Sequence, residues 1–324
     1  MRIAITGGTG FVGGHLAVRL ARDGHQVVAV ARGVDRRPWA REVLELPDVS
    51  HFRAGLDDAD RLRQAFTGCD AVAHCAGINR EIGDATYRAV HVDGTGNVVA
   101  AAEAAGVRRL SIVSFLRARP HPESPYHDSK WAAEEIVRSS ALEWTVLKPG
   151  MMYGRGDHML DHLGKALSTF PIYIGVGNRR VRPLAIDDAV GVLEAALVAG
   201  RLPRTTVPVV GPTELSFDDA ARLVARVIGK KRLFVRAPIA FHYLLARVTE
   251  ASMTVPLVAR AQVRILEEEV VDATNAPDRL PDDLAPRIAF DEAAIRAGLP
   301  ERVERFRRED FRRPPARSRA RAGT

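Results

Sequence analysis

Lysine is scarce in this chain. Of 47 basic residues only five are Lys (Lys130, Lys148, Lys165, Lys230, Lys231), and the other 42 are Arg. A lone Arg therefore says little here, while each Lys asks for a reason. Cysteine is scarcer still. Cys69 and Cys75 stand alone, with no metal-site spacing, which excludes a disulfide framework and fits a reducing cytoplasm. No apolar run reaches the ~18–20 residues of a membrane-spanning helix. The amino end reads as a strand and lacks a leader pattern, so no signal peptide is expected.

The composition is that of a folded water-facing chain: 324 residues, 46% hydrophobic and 27% charged. The net charge of +7 is unevenly placed. Residues 301–324 hold nine Arg against four acids, or 9 − 4 = +5, which leaves about +2 for the body. That body has no electrostatic footprint for specific nucleic acid. The end, "RFRREDFRRPPARSRARAGT", is poor in apolar residues and is expected to form a basic disordered tail over 306–324.

Apolar strand patterns and amphipathic helix patterns alternate along the first half. Strands are expected at 2–6, 26–31, 70–76, 109–114 and 144–149. Helices are expected at 11–22, 57–66, 85–105 and 125–139. This rhythm predicts an α/β fold, a doubly wound parallel sheet of Rossmann type. Residues 1–170 would form the nucleotide-binding domain, with 181–212 returning to it through a helix (187–200) and an edge strand (206–210). Residues 171–305 would form a smaller, mainly helical cap.

Directly after the first strand comes "TGGTGFVGGHL". In a strand–turn–helix, Gly7 allows the tight turn, Gly10 lets a pyrophosphate approach the backbone, and Gly13 lets helix and strand pack closely. Thr9, Phe11 and Val12 lie in the same turn, and the amides there face the phosphates. Nineteen residues past Gly13, where an acid would hold the ribose hydroxyl of NAD, stands Arg32, followed by Arg36 and Arg37. The missing acid and these cations favour NADP(H) over NAD(H).

"SPYHDSKWAAEEIV" places Tyr126 and Lys130 at i and i+4, on one helix face. A neighbouring ammonium favours the phenolate and is expected to draw the Tyr pKa down from ~10 toward neutrality. That would make an acid/base for carbonyl–alcohol interconversion.

Taken in order, "TGGTGFVGGHL", "DAVAHCAG", "HVDGTGNVVAAA", "PYHDSK" and "VLKPGMMYGRGD" resemble the short-chain dehydrogenase/reductase superfamily, extended or atypical type, grouped with NAD-dependent epimerases and dehydratases. "RPLAIDDAV" is most similar to the branch containing the NADPH-binding accessory subunit of respiratory complex I. The resemblance implies that Tyr126 is the acid/base and Lys130 its partner and ribose ligand. It also implies that His74, Cys75 and Ala76 line the cofactor, and that Pro149, Gly150, Met151 and Met152 pass the nicotinamide. Ser114 is the one hydroxyl near the position where the family orients the substrate carbonyl, with Phe115 or Leu116 in the expected place. Gly55 stands where the family has an Asp near the adenine, and Asp58 reads as a helix cap.

His158 and His162 lack the Glu of a zinc motif, and no metal is expected. The apolar stretch 238–248 reads as a core helix of the cap, with a peripheral membrane or subunit contact, including a homodimer, left open. The expected activity is NADPH-dependent reduction of a carbonyl or similar small substrate. A non-catalytic NADPH-holding subunit and a nucleotide-sugar epimerase or dehydratase are the alternatives.

Overall fold

The structure is a computed structural model, and it describes residues 1–33, 38–121, 123–253 and 258–311. The first half runs β1 (Arg2–Thr6), α1 (Phe11–Arg22), β2 (Gln26–Ala31), α2 (Pro38–Leu44), β3 (Val49–Arg53), α3 (Ala59–Phe66) and β4 (Ala71–His74). A π-helical turn (Arg88–Asp93) then leads into α4 (Gly94–Ala104), β5 (Arg109–Val113), α5 (Pro125–Arg138) and β6 (Glu143–Pro149). Next come β7 (Met152–Tyr153), α6 (His158–Thr169), β8 (Ile172–Gly175), β9 (Arg180–Val181), β10 (Leu184–Ala185) and α7 (Ile186–Leu197). The remainder holds β11 (Thr205–Val209), β12 (Leu215–Ser216), α8 (Phe217–Val227), β13 (Leu233–Arg236), α9 (Ile239–Ser252), α10 (Arg260–Glu267) and α11 (Glu292–Gly298).

Seven strands form one all-parallel sheet in the order β11-β6-β5-β4-β1-β2-β3. Alternation along each strand sends its side chains to two cores. Ile3 and Ile5 of β1 pack with Leu16 and Leu20 of α1 and Val190 and Leu193 of α7. Ala4 of β1 faces the other way, with Leu62 of α3, Val98 of α4 and Val137 of α5. The strand order reverses between β1 and β4, so a crevice opens at the carboxyl ends of these two strands.

Helix ends follow local chemistry. Asp58 caps α3 by accepting from Arg61 N, Asp157 caps α6, and Ser216 caps α8. The region expected as one helix over 85–105 is instead a π-helical turn running into α4. At the join, a Cβ on Gly94 would lie 2.9 Å from the Leu56 side chain, so the crowding is met with glycine.

Segment 186–209 rejoins the main sheet: α7 covers one face and β11 pairs with β6 at the edge. The cap has its own core, with Leu160 and Leu163 of α6 against Ala221 and Val224 of α8 and Ile295 of α11. The segment expected to be a tail begins as ordered chain. Phe306 N donates to Thr169 Oγ1, and the Phe306 ring lies 6.3 Å from Phe170 and 5.9 Å from His162. The aromatic residues within an Arg-rich stretch explain this docking. Residues 312–324, with the rest of the expected tail, lie outside the described residues.

Candidate active site

The glycine turn shapes the crevice at the end of β1. Gly7 has φ +69°, and a Cβ there would sit 2.9 Å from the backbone of Ala76. A Cβ on Gly13 would overlap the Gly7 carbonyl oxygen. Gly10, the residue before α1, donates to Gly7 O at 2.8 Å, and it offers the helix no side-chain cap. The first helical bond is Gly14 N to Gly10 O, so the amides of Phe11, Val12 and Gly13 have no acceptor within the helix. No acid stands in that first turn. The result is a cradle of outward N–H groups at the positive end of a dipole, which suits a pyrophosphate. Thr9 Oγ1 donates to Gly33 O at 3.3 Å, tying the turn to the loop after β2.

Arg32 is exposed at the end of β2. Arg36 and Arg37 lie outside the described residues. A side chain at Gly55 would collide with the Asp57 carboxylate and approach Arg32 Cγ to 3.8 Å. Asp57 thus occupies the space that a longer residue at 55 would fill. The neighbouring "LDD" was the available signal for it.

The end of β4 works differently from expectation. The His74 ring is 1% exposed and braces the fold between β1 and α4. Thr6 Oγ1 lies 2.6 Å from its Nδ1, and its Nε2 lies 3.0 Å from Thr95 Oγ1. Thr95 donates onward to His91 O, so it must accept from His74, which fixes His74 as the Nε2–H tautomer. Burial, with Lys130 nearby, lowers its pKa to about 3. Cys75 is half-buried, its N–H donates to Thr6 O, and burial pushes its thiol up to about 12. Ala76 presents backbone to Gly7. Two strands away, at the end of β6, Pro149 O accepts from Leu116 N, and Met152 sits half-buried in β7, beside β10.

Tyr126 and Lys130 share the inner face of α5, and both are buried. Lys130 Nζ donates to Val113 O at 3.1 Å, beside Gly77 and the His91 ring. Burial, opposed by Glu134 and Cys75, brings Lys130 down to about 8. The expected lowering of the phenol is reversed: burial, reinforced by Tyr87, raises the Tyr126 pKa above its ordinary value. Loss of solvent outweighs the ammonium, whose hydrogen bond is spent on the β5 carbonyl. Tyr126 stays a protonated phenol, a donor rather than a base. Among the described residues its hydroxyl has no hydrogen-bond partner.

His91 supports this helix. Its Nε2 accepts from Ile78 N at 3.1 Å, so Nδ1 carries the hydrogen and donates to Ser129 Oγ at 2.9 Å. Ser129 donates to Tyr126 O. Burial, then Lys130, then His74 depress His91 to about 2.

Ser114 does not face Tyr126 with a free hydroxyl. It donates to the fully buried Glu134, which also holds Lys148 Nζ at 3.0 Å and Arg138 at 2.6 Å. Lys148 donates on to Ala118 O at 2.9 Å. Phe115 instead packs on the Tyr126 ring at 5.4 Å, with Tyr87 on another side at 5.6 Å. Val270 of the cap joins the same apolar cluster. Glu268 anchors that cap segment, pairing with Arg119 at 2.8 Å and lying 3.5 Å from His127. His127 is lowered to about 4 by burial, against the pull of Glu268. The scarcity of Lys was the one sequence signal for the Glu134–Lys148 pair. His158 and His162 stand 6.4 Å apart, ring to ring, and join no group of three metal-binding side chains among the described residues.

A seven-stranded parallel sheet with a glycine-lined amide cradle at its switch point defines a Rossmann-type dinucleotide-binding protein. The family described as NAD(P)H-binding matches residues 7–166, and the chain belongs to it. It is 32% identical over 245 residues to a ceramide reductase of Caulobacter vibrioides, covering 73% of each chain. It is 25% identical over 270 residues to the 40 kDa subunit of NADH-ubiquinone oxidoreductase of Neurospora crassa, covering 83% of this chain and 71% of that one. It spans only 25% of the length of an uncharacterized Mycobacterium tuberculosis protein, 30% identical over 253 residues, which covers 77% of this chain. Among solved structures, the Bordetella bronchiseptica enzyme WbmG in complex with NAD superimposes with a TM-score of 0.63 at 24% identity, over 74% of this chain and 81% of that one. No helix among the described residues is long and apolar enough to cross a membrane.

Proposed function

We propose that the protein is an NADPH-dependent reductase of a carbonyl flanked by apolar groups. The observation that carries this reading is the meeting, at the carboxyl edge of one sheet, of the amide cradle at α1 with Tyr126 and Lys130 of α5. Thr9 and the amides of Phe11, Val12 and Gly13 would hold the pyrophosphate. Arg32 would face the 2′-phosphate, and Lys130 the nicotinamide ribose. When bound, the cofactor supplies hydride. Tyr126, kept neutral by burial, delivers the proton to the substrate oxygen. Lys130, near its own pKa at about 8, restores charge balance beside it. Phe115, Tyr87 and Val270 exclude water and favour an apolar substrate. The Caulobacter ceramide reductase supports the reductase class.

A second reading has its own observation. With Ser114 tied to Glu134 and Phe115 against Tyr126, no hydroxyl of the β5 end stands ready to orient a carbonyl. This favours a NADPH-holding subunit in which the cofactor stabilises the fold. Tyr126→Phe separates the two. On the reductase reading, NADPH oxidation with a panel of apolar ketones falls about 10²–10⁴-fold, while NADPH affinity is kept. If neither wild type nor variant turns over any ketone, while both bind NADPH and melt higher with it, the subunit reading stands and the reductase is rejected.

A further inference from the structure

Ten large apolar side chains are exposed among the described residues, and eight of them belong to the cap and the residues that follow it. Four form a face. Ile172 and Ile174 of β8 lie opposite Leu233 and Val235 of β13 in register, while Tyr173 and Phe234 point inward to the cap core. The outer surface of this two-stranded sheet is thus apolar at all four positions, 37–61% exposed. Helix α9 follows directly. It is fastened by His242, whose ring lies 3.0 Å from Gly175 O at the end of β8. Its inner side carries His242, Ala246 and Thr249, and its outer stripe Phe241, Leu244 and Val248 is exposed. A core helix would not leave that stripe in water.

The charge around this face points to its occupant. From Gly229 to Thr249 the chain carries Lys230, Lys231, Arg232, Arg236 and Arg247, and no acid. Beneath Arg236, 3.7 Å away, lies the buried Asp218. The described chain ends at Phe311, itself 41% exposed and packed 6.5 Å from Phe170, two residues before Ile172. The 13 residues beyond it hold five Arg, no acid and no large apolar side chain. By composition that segment offers nothing apolar to cover the face. A two-fold pairing of copies through this face would set the same cations against each other. The nearby acids are already engaged: Glu250 of α9 pairs with Arg260, Glu267 accepts from Tyr243, and Asp218 lies under Arg236. An apolar surface edged by an excess of cations matches the boundary of an anionic bilayer, where lipid tails take up the apolar groups and headgroups take up the charge.

We propose that the β8–β13 face and the outer stripe of α9 dock the protein peripherally on an anionic phospholipid bilayer. The test is sedimentation of the full chain with vesicles of phosphatidylcholine alone and vesicles enriched in phosphatidylglycerol. Binding is expected to favour the anionic vesicles at least about tenfold and to weaken as salt rises. Lys231→Ala with Arg247→Ala should lower the partition about 25-fold, roughly fivefold per charge. Val235→Ser with Leu244→Ser should lower it about tenfold or more. These positions are exposed, and unchanged NADPH binding by each variant confirms the fold and keeps this result separate from the reductase reading. No binding, or equal and salt-insensitive binding to both vesicles, overturns the proposal. So does a dimer in sedimentation velocity that Leu244→Ser dissociates, because the face then belongs to a second copy.

Discussion

Replacing Glu134 by Gln removes the one carboxylate shared by Ser114, Lys148 and Arg138, in a site where Glu134 and Lys148 are both fully buried. An exposed ion pair would be worth about 0–1 kcal/mol. Here the variant leaves an interior ammonium with no counter-charge, only neutral partners in Ala118 O, the new amide oxygen and the Trp131 ring, and breaking such a pair costs about 3–5 kcal/mol. For a chain of this size that corresponds to a fall in Tm of about 4–7 °C. Thermal and urea unfolding by circular dichroism measure it. The double variant Glu134→Leu, Lys148→Met removes the stranded charge and should recover about 2 kcal/mol or more of the loss. Because the same network ties down Ser114 and Ala118 on either side of Phe115, Glu134→Gln should, on the reductase reading, also lower turnover while nucleotide affinity stays. A stability loss under about 1 kcal/mol, or a double variant equal to the sum of its singles, would refute the reasoning.

Other outcomes follow from the same geometry. Gly13→Ala, whose methyl overlaps the Gly7 carbonyl, should abolish cofactor binding in calorimetry, whereas Gly96→Ala, in α4 with open space around it, should keep it. Arg32→Glu should lower NADPH affinity about 10–100-fold and spare NADH, as loss of a charge-assisted contact requires. Stability should also fall in acid. His74, His91 and His127 are held at about 3, 2 and 4, below the unfolded value of ~6.5, so the unfolded chain binds three protons more between those limits. Asp157, raised to about 7 by burial, works oppositely and subtracts one. Near pH 5 the net of two protons predicts about 3 kcal/mol lost per pH unit, measurable by urea titration.

The sheet and the glycine turn were legible because their signals are local. "RIAIT" and "QVVAVA" need only alternation and a neighbour, and the turn at Gly7 and the crowding of Gly13 on the Gly7 carbonyl lie within ten residues of the first strand. The Tyr126–Lys130 spacing was equally local, but the sign of the phenol's shift was not. It depends on Phe115 and Tyr87 closing over the ring, which spacing on one helix does not encode. Ser114 was misjudged for the same reason, since its partner Glu134 lies 20 residues on. The cap was least readable. Strands of two to four residues such as β8 and β13 pair across about 60 residues, and their patterns are too short to announce a partner.

The two buried imidazoles behind α5 bear on how Tyr126 would be recharged if it donates as proposed. In each, one nitrogen already receives a hydrogen and the other already gives one away, so neither ring has a free lone pair or a spare acidic hydrogen to pass along. This flank is electrically insulating. On the proposed reductase reading, a hydrogen given up by Tyr126 would be replenished from the Lys130 side or from bulk water, and exchanging either ring for a glutamine amide should leave the refill rate untouched.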